Sequence, residues 1–337
     1  MRIVISFLRV LVYNFFGDIM IEFQIKANDA NQRLDKFLMK TMPTLPKSFM
    51  YKAIRNKKIK VNRKRCEIST RLNEGDIVLC FIPDTYYEVK QDYDFLHVPK
   101  QLDVVYENEH CLIVNKVSGL LSHKDQANIQ DNLQDRILHY LYDQKVYDPK
   151  VEYSFTPAIA HRLDRNTSGL IIASKTSSFS KFISEKIHEH EVKKYYVCIV
   201  EGNLRKKQDY VELYHVKDEK LNKAKLYDHE VAGSKKIAMN YRVLQTSKTY
   251  SLVEVELISG KSHQIRSLMA YLKTPIYGDV KYGAKVNQEK TFQALCAYKI
   301  IFAFDDDSFI KEKSIVLENN EIINTYKRLV KKCKITS

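Results

Sequence analysis

The sequence predicts an α+β protein: a large domain built on a mixed, mainly antiparallel sheet, preceded by a small α/β module. Three observations lead there. From Leu102 onward, long strands of alternating hydrophobicity are interleaved with helical patterns. No GxGxxG or GxxxxGK[ST] run is present and the chain holds only nine glycines, which argues against a nucleotide-binding doubly wound sheet. The stretch Met20–Pro83 differs sharply in composition from the rest of the chain, with 14 Lys and Arg against 6 Asp and Glu. At 337 residues the chain is long enough for two cores.

Residues 1–19 read as an N-terminal extension. Ile3 to Phe16 is largely apolar but is interrupted by Arg9, too short to span a bilayer, and without the small-residue cleavage site of a secretory signal. Two helices are expected next, at about Gln32–Met42 and Lys47–Asn56, with strands after them near Lys60–Val61 and Asp76–Phe81. Leu34, Phe37 and Leu38 form the inward face of the first helix, and Phe49, Ala53 and Ile54 that of the second. Asn73-Glu74-Gly75-Asp76 marks a turn.

Residues 84–100 carry clustered charge and tyrosines without periodicity and read as a linker. The domain 101–310 should hold strands at Cys111–Asn115, Gly169–Ser174, Tyr195–Val200, Tyr250–Ile258 and Ala297–Phe304. Its helices are expected at Asn132–Tyr142, Ser177–Glu189 and Ser262–Leu272, and residues 311–337 form a basic tail.

The net charge of +14 favours a polyanionic partner. More than half of it lies in 20–83. Lys47 to Arg65 contains nine basic residues (Lys47, Lys52, Arg55, Lys57, Lys58, Lys60, Arg63, Lys64, Arg65) and no acid. Such a run is ordinarily a solvated face, but nineteen residues without an acid fit a phosphate-binding surface better. The six cysteines show no CxxC pairing and read as reduced thiols of a cytoplasmic protein. Neither Cys nor His carries a cofactor or metal signal; His188 and His190 fall in a charged, solvated stretch.

One run concentrates reactive residue types: His161-Arg162-Leu163-Asp164-Arg165-Asn166-Thr167-Ser168-Gly169, just ahead of an apolar strand. Nearby guanidinium groups favour an ionised aspartate, available as base or nucleophile. On residue types alone, a salt-bridged surface loop is the commoner meaning of such a run.

The run Arg33-Leu34-Asp35-Lys36-Phe37-Leu38, then Pro46-Lys47-Ser48, Ile59 to Arg65 and Gly75-Asp76, resembles the alpha-L RNA-binding domain over residues 31–82. His161 to Gly169 resembles the HRLDxxTSG signature of the RluA family of pseudouridine synthases. Three further segments match in order. Asn115-Lys116 with Gly119 and His123 resembles the opening NKPxGxxxH element, and Lys194-Tyr195-Tyr196 through Gly202 resembles the KxY…G strand. Ser259 to Arg266, then Pro275 to Asp279 and Tyr282-Gly283, resembles the closing GRxHQIR…PIxGDxxYG element. Val117 stands where the family usually has proline, and Lys261 where it usually has arginine; the latter exchanges a planar fork for a point charge.

The resemblance implies an enzyme that turns uridine into pseudouridine without cofactor. Asp164 would start the isomerisation, either by attack at the ribose or by removing a ribose proton. Arg266 would pair with Asp164, and Tyr196 would pack on the uracil and assist loss of the carbon 5 proton. Arg162 would fill the gap left by a flipped-out uridine. Apolar walls for the detached base are expected from Leu170–Ala173 and Val253–Leu257. An alpha-L module ahead of such a domain resembles the RluC-like branch, which implies large-subunit ribosomal RNA as substrate. The alternatives are a transfer-RNA uridine synthase, a non-catalytic RNA-binding or ribosome-assembly factor, or, more remotely, a peripheral membrane protein. A monomer without stable membrane association is expected.

Overall fold

The computed structural model describes residues 18–86, 93–125, 131–286 and 292–335. The extension falls almost wholly outside them. The chain divides into two compact units.

The first unit takes in the described residues up to Lys100 together with Ile137–Ala158 and Lys175–Ser180. Its strands and helices are β1 (Asp18–Gln24), β2 (Gln32–Arg33), α1 (Leu34–Thr41), α2 (Lys47–Arg55), β3 (Ile59–Val61), β4 (Lys64–Arg65), β5 (Arg71–Leu72) and β6 (Ile77–Pro83). A sheet in the order β1-β6-β3-β4 forms one layer. Ile21 and Phe23 alternate inward from β1 and join Leu34, Phe37 and Leu38 of α1 in one buried cluster. In α2 the buried set is Met50, Ala53 and Ile54, an i, i+3, i+4 triplet; Phe49, expected inside, is half-buried against Tyr86.

Residues far along the chain complete this core. The Tyr153 ring meets Phe23 edge-on at 5.1 Å and Phe37 at 6.4 Å. Asp29, fully buried, accepts hydrogen bonds from Tyr153 N, Ser154 N and Ser154 Oγ at 3.2, 2.7 and 2.6 Å. Sequence periodicity assigns these residues to the second domain. They act here because a buried carboxylate needs donors to offset its lost hydration.

The second unit adds β7 (Val104–Glu107), β8 (Cys111–Lys116), α3 (Leu133–Asp143), β9 (Ala158–Ile159), β10 (Ser168–Ser174), α4 (Ser177–His188), β11 (Val192–Glu201), β12 (Gln208–Asp218), β13 (Lys223–Tyr227), β14 (Lys235–Thr246), β15 (Tyr250–Leu257), α5 (Gln264–Tyr271), β16 (Leu295–Phe302), β17 (Ser314–Val316) and α6 (Glu321–Ile335). Helices α3 and α4 each run from one unit into the other. The sheet runs β13-β12-β14-β15-β11-β16-β10-β8-β7. Along that path β10 and β16 are parallel and every other neighbouring pair is antiparallel. The α+β class with a mixed, mainly antiparallel sheet holds.

Strands β12 to β14, absent from the sequence reading, are half-exposed and rich in Lys, Glu and Tyr, so their apolar alternation is weak. The stretch read as a basic tail forms β17 and α6. Helix α6 buries Ile322, Tyr326 and Leu329 at i, i+4 and i+7 beneath a charged outer face. The cysteines at 66, 80, 111, 198 and 296 are buried, and none of them forms a disulfide among the described residues. No helix among the described residues is long and apolar enough to cross a membrane.

Candidate active site

The run 161–169 is a loop entering β10, and a second loop holds it from the side. Lys116, at the end of β8, is fully buried and donates through Nζ to the carbonyls of Leu120, Arg165 and Val117 at 2.7, 2.9 and 3.1 Å. Ser118 Oγ donates to Asn166 O (2.9 Å), Gly119 N to Arg165 O (2.9 Å), and Arg165 Nε to Gly119 O (3.0 Å). Ser122 Oγ donates to Leu163 O and accepts from Leu163 N, at 2.8 and 3.1 Å. A loop without regular ladder bonding has its backbone groups satisfied this way and is held in place. Burial lowers the Lys116 ammonium to about 8, with the Asp164 charge opposing. Gly169 carries the chain into β10 at φ +119°, and a Cβ there would sit 2.2 Å from Ala297 O. Only glycine permits this parallel approach of β10 to β16.

The arginines flanking Asp164 in sequence do not pair with it. Its partner is Arg266 of α5, 102 residues away, whose Nη1 donates to Asp164 Oδ2 at 3.2 Å. The pairing expected of Arg266 is thus present but single. Its two-pronged bond goes instead to Asp279, with Nε and Nη2 donating at 2.6 and 2.8 Å. Both side chains of that pair are buried. Burial alone would lower the Arg266 guanidinium, but hydrogen bonding and charge from Asp279, joined by Asp164, hold it above its ordinary value.

His263 caps α5 in the left-handed region (φ 55°) and directs Nε2 toward the same Asp164 Oδ2, at 3.9 Å. Its Nδ1 lies 3.0 Å from the Tyr282 hydroxyl, which accepts the Ala224 amide at 2.7 Å. With Ala224 donating to that oxygen, the phenol proton is assigned to His263 Nδ1, and the imidazole proton to Nε2. The Tyr282 ring also stacks 5.0 Å from the Arg266 guanidinium. Burial holds His263 below its ordinary value despite the Asp164 charge, so it is neutral. Asp164 Oδ2 thus accepts one hydrogen bond, from Arg266, with the His263 ring close by, whereas Oδ1 has no partner among the described residues, and the side chain stays 26% exposed.

Asp164, Tyr196, Arg266 and Arg162 line a single cleft of about 1020 Å³. Tyr196 is buried on β11, and burial together with the Asp164 charge raises its phenol well above the ordinary range. It therefore offers a neutral ring rather than a phenolate. Arg162 is exposed at the rim. The apolar walls come from Leu163, Val192, Leu257, Ile258, Ile265 and Leu295. Leu170–Ala173, expected there, is wholly buried inside the sheet, and from Val253–Leu257 only Glu256 and Leu257 reach the cleft.

The basic residues of the first unit form their own surface. Lys47, Lys52, Arg55, Lys57, Lys58, Arg63, Lys64 and Arg65 are exposed, while Lys60 is half-buried with Nζ 5.8 Å from the Phe81 ring centre. Asn62 and Arg63, with φ 51° and 64°, form the turn between β3 and β4. Asn62 is tied to Asp76 Oδ1 (2.8 Å) and to the Ile77 amide (2.9 Å).

Residues 110–271 match the family model described as RNA pseudouridylate synthase, and residues 32–78 match the S4 domain. An uncharacterized RNA pseudouridine synthase of Mycoplasma capricolum subsp. capricolum is 33% identical over 289 residues, 84% of this chain and 92% of the relative. The chain belongs to the RNA pseudouridine synthase family. The ribosomal large subunit pseudouridine synthase C of Vibrio cholerae is 28% identical over 266 residues, 77% of this chain and 79% of that protein. Among solved structures, human RNA pseudouridylate synthase domain containing 4 shares the fold at a TM-score of 0.55 and 20% identity, covering 67% of this chain and 92% of its own.

Within this pseudouridine synthase, sequence reasoning assigned no role to Lys116, Ser122, Asp279 or Tyr282. Lys116, Asp279 and Tyr282 stood in the matched elements, but residue type alone does not say which carboxylate receives the arginine fork. Ser122 had no signal beyond its place between Gly119 and His123 of the opening element.

Proposed function

We propose that this pseudouridine synthase isomerises specific uridines of 23S ribosomal RNA, with Asp164 as the reacting carboxylate. The observation that carries this reading is the half-buried Asp164 carboxylate in an apolar-walled cleft beside Tyr196, its Oδ2 held by Arg266 and its Oδ1 without a partner among the described residues. The name of the Vibrio cholerae relative, a ribosomal large subunit synthase, supports the choice of RNA.

A uridine in a helix must first leave its stack, at a cost of a few kcal/mol. Arg162 at the rim takes up hydrogen bonds vacated in the RNA, and the neutral Tyr196 ring stacks on the extruded base. Asp164 Oδ1 then acts on the ribose, by attack or by taking a proton, and the bond from the sugar to nitrogen 1 breaks. The uracil turns within the apolar walls and rejoins the sugar through carbon 5. Carbon 5 loses its proton and nitrogen 1 gains one, so atoms balance without an external reagent. Arg266, fixed by Asp279, keeps the carboxylate aimed throughout. The basic face from Lys47 to Arg65 supplies affinity for the RNA backbone.

Tritium release from RNA labelled at uridine carbon 5 tests the reading. Asp164→Asn should abolish release and leave RNA binding nearly intact; release at the wild-type rate would refute the role of Asp164. Mapping pseudouridines in total RNA with and without the protein identifies the substrate. Sites confined to transfer RNA would favour the alternative target.

A further inference from the structure

Every acid lining the cleft is already engaged. Asp164 bonds Arg266, Glu219 pairs with Lys217 at 2.7 Å, and Glu256 accepts from Asn240 at 2.9 Å. Lys194 is different. It sits in the middle of the sheet on β11, paired with Leu257 of β15 and Ile300 of β16, and its stem is half-buried. Among the described residues its ammonium has neither a hydrogen-bond acceptor nor an ion-pair partner. Burial lowers it from its ordinary value with no charge to compensate. A desolvated cation left unpaired in a cleft is costly for the free protein unless a ligand brings the counter-charge.

Lys194 and Tyr196 are two residues apart on one strand face and line the same cleft. That spacing is roughly 7 Å along the strand, comparable with the distance between a base and the phosphates of its own nucleotide. We propose that Lys194 is the seat of a backbone phosphate, that of the phosphodiester adjoining the target uridine. The inference rests on the pseudouridine synthase reading of the cleft for its choice of anion. Lys194 acts as a binding residue: its ammonium gains a counter-charge only when the phosphate arrives, so it favours the extruded nucleotide over free solvent ions.

The test compares wild type, Lys194→Met and Lys194→Arg on a uridine-containing RNA and on the same RNA with a single neutral methylphosphonate on either side of the target. Lys194→Met should weaken binding about tenfold and reduce the slope of log Kd against log salt by about 0.7. Its unfolding midpoint should be unchanged or higher, since an unpaired buried charge has been removed; Lys194→Arg should recover binding. A methylphosphonate at one flanking position should weaken wild type similarly and leave Lys194→Met no weaker. The proposal is overturned if Lys194→Met binds as wild type, if both methylphosphonates weaken the two proteins by equal factors, or if weaker binding arises only from a lowered midpoint. Binding is read without turnover. Absence of tritium release by wild type would therefore refute the activity, while the phosphate assignment would still be decided by the binding measurements.

Discussion

Replacing Asp279 by alanine removes the carboxylate that takes two of the three hydrogen bonds Arg266 makes to acids. Both partners are almost shielded from water, at 9% and 1% side-chain exposure. Breaking such a pair strands a buried guanidinium and costs about 3–5 kcal/mol. For a unit of this size that lowers the unfolding midpoint by roughly 10 °C. Activity should fall further than stability alone explains, because Arg266 is then free to swing toward Asp164 and alter its aim. A misplacement of about 1 Å is worth roughly a hundredfold in rate. Removing both members, Asp279→Leu with Arg266→Met, should recover most of the stability, since apolar replacements of a buried pair are close to neutral. It should recover none of the tritium release. Chemical denaturation and tritium release, run on the single and double variants, separate these effects. Additive destabilisation in the double variant, or an Asp279→Ala protein with wild-type stability and rate, would refute the coupling.

Neutralising Lys57, Lys58, Arg63 and Lys64 together should flatten the salt dependence of RNA binding by about 0.7–0.9 in slope for each phosphate no longer met; an unchanged slope means the surface meets solvent alone. Lys116 has a folded value of about 8 against an ordinary 10.5, so between these pH values the unfolded chain holds a proton that the folded one has released. The contribution of this site to stability therefore rises with pH through that window, by on the order of 3 kcal/mol, and Lys116→Met should lack that rise in pH-dependent denaturation. Tyr282→Phe deprives the Ala224 amide of its acceptor and His263 of its donor, which should destabilise by about 1–3 kcal/mol and reduce kcat more than it raises KM. A variant with unchanged kcat would show that the His263 orientation does not matter to Asp164.

Local patterning made most elements readable. Strand β8 begins at Cys111 as expected because four successive apolar residues there are buried on both faces. Helices α3, α4 and α5 lie within two residues of their expected ends. Where charge and tyrosine dilute the apolar period, as in β12–β14 and α6, the pattern was too weak to see. Phe49 and Met50 show a finer limit: both are apolar and adjacent, and only the packing of α2 decides which one turns inward.

For the run His161 to Gly169, the sequence by itself determined that a carboxylate sits among arginines ahead of a strand, and the order of its matched elements pointed to uridine chemistry. It also placed a glycine, Gly169, at the head of that strand. The resemblance also named Arg266, not the neighbouring Arg162 or Arg165, as the partner of Asp164. Only the tertiary structure decided that this bond is single, that Asp279 takes the arginine fork, and that Lys116 with Ser122 fixes the loop. Periodicity reports on neighbours a few residues apart, whereas a buried charge is settled by whichever partner the fold brings within hydrogen-bonding reach, about 3 Å. That distance is a property of the packed sheet and its loops, and no local pattern encodes it.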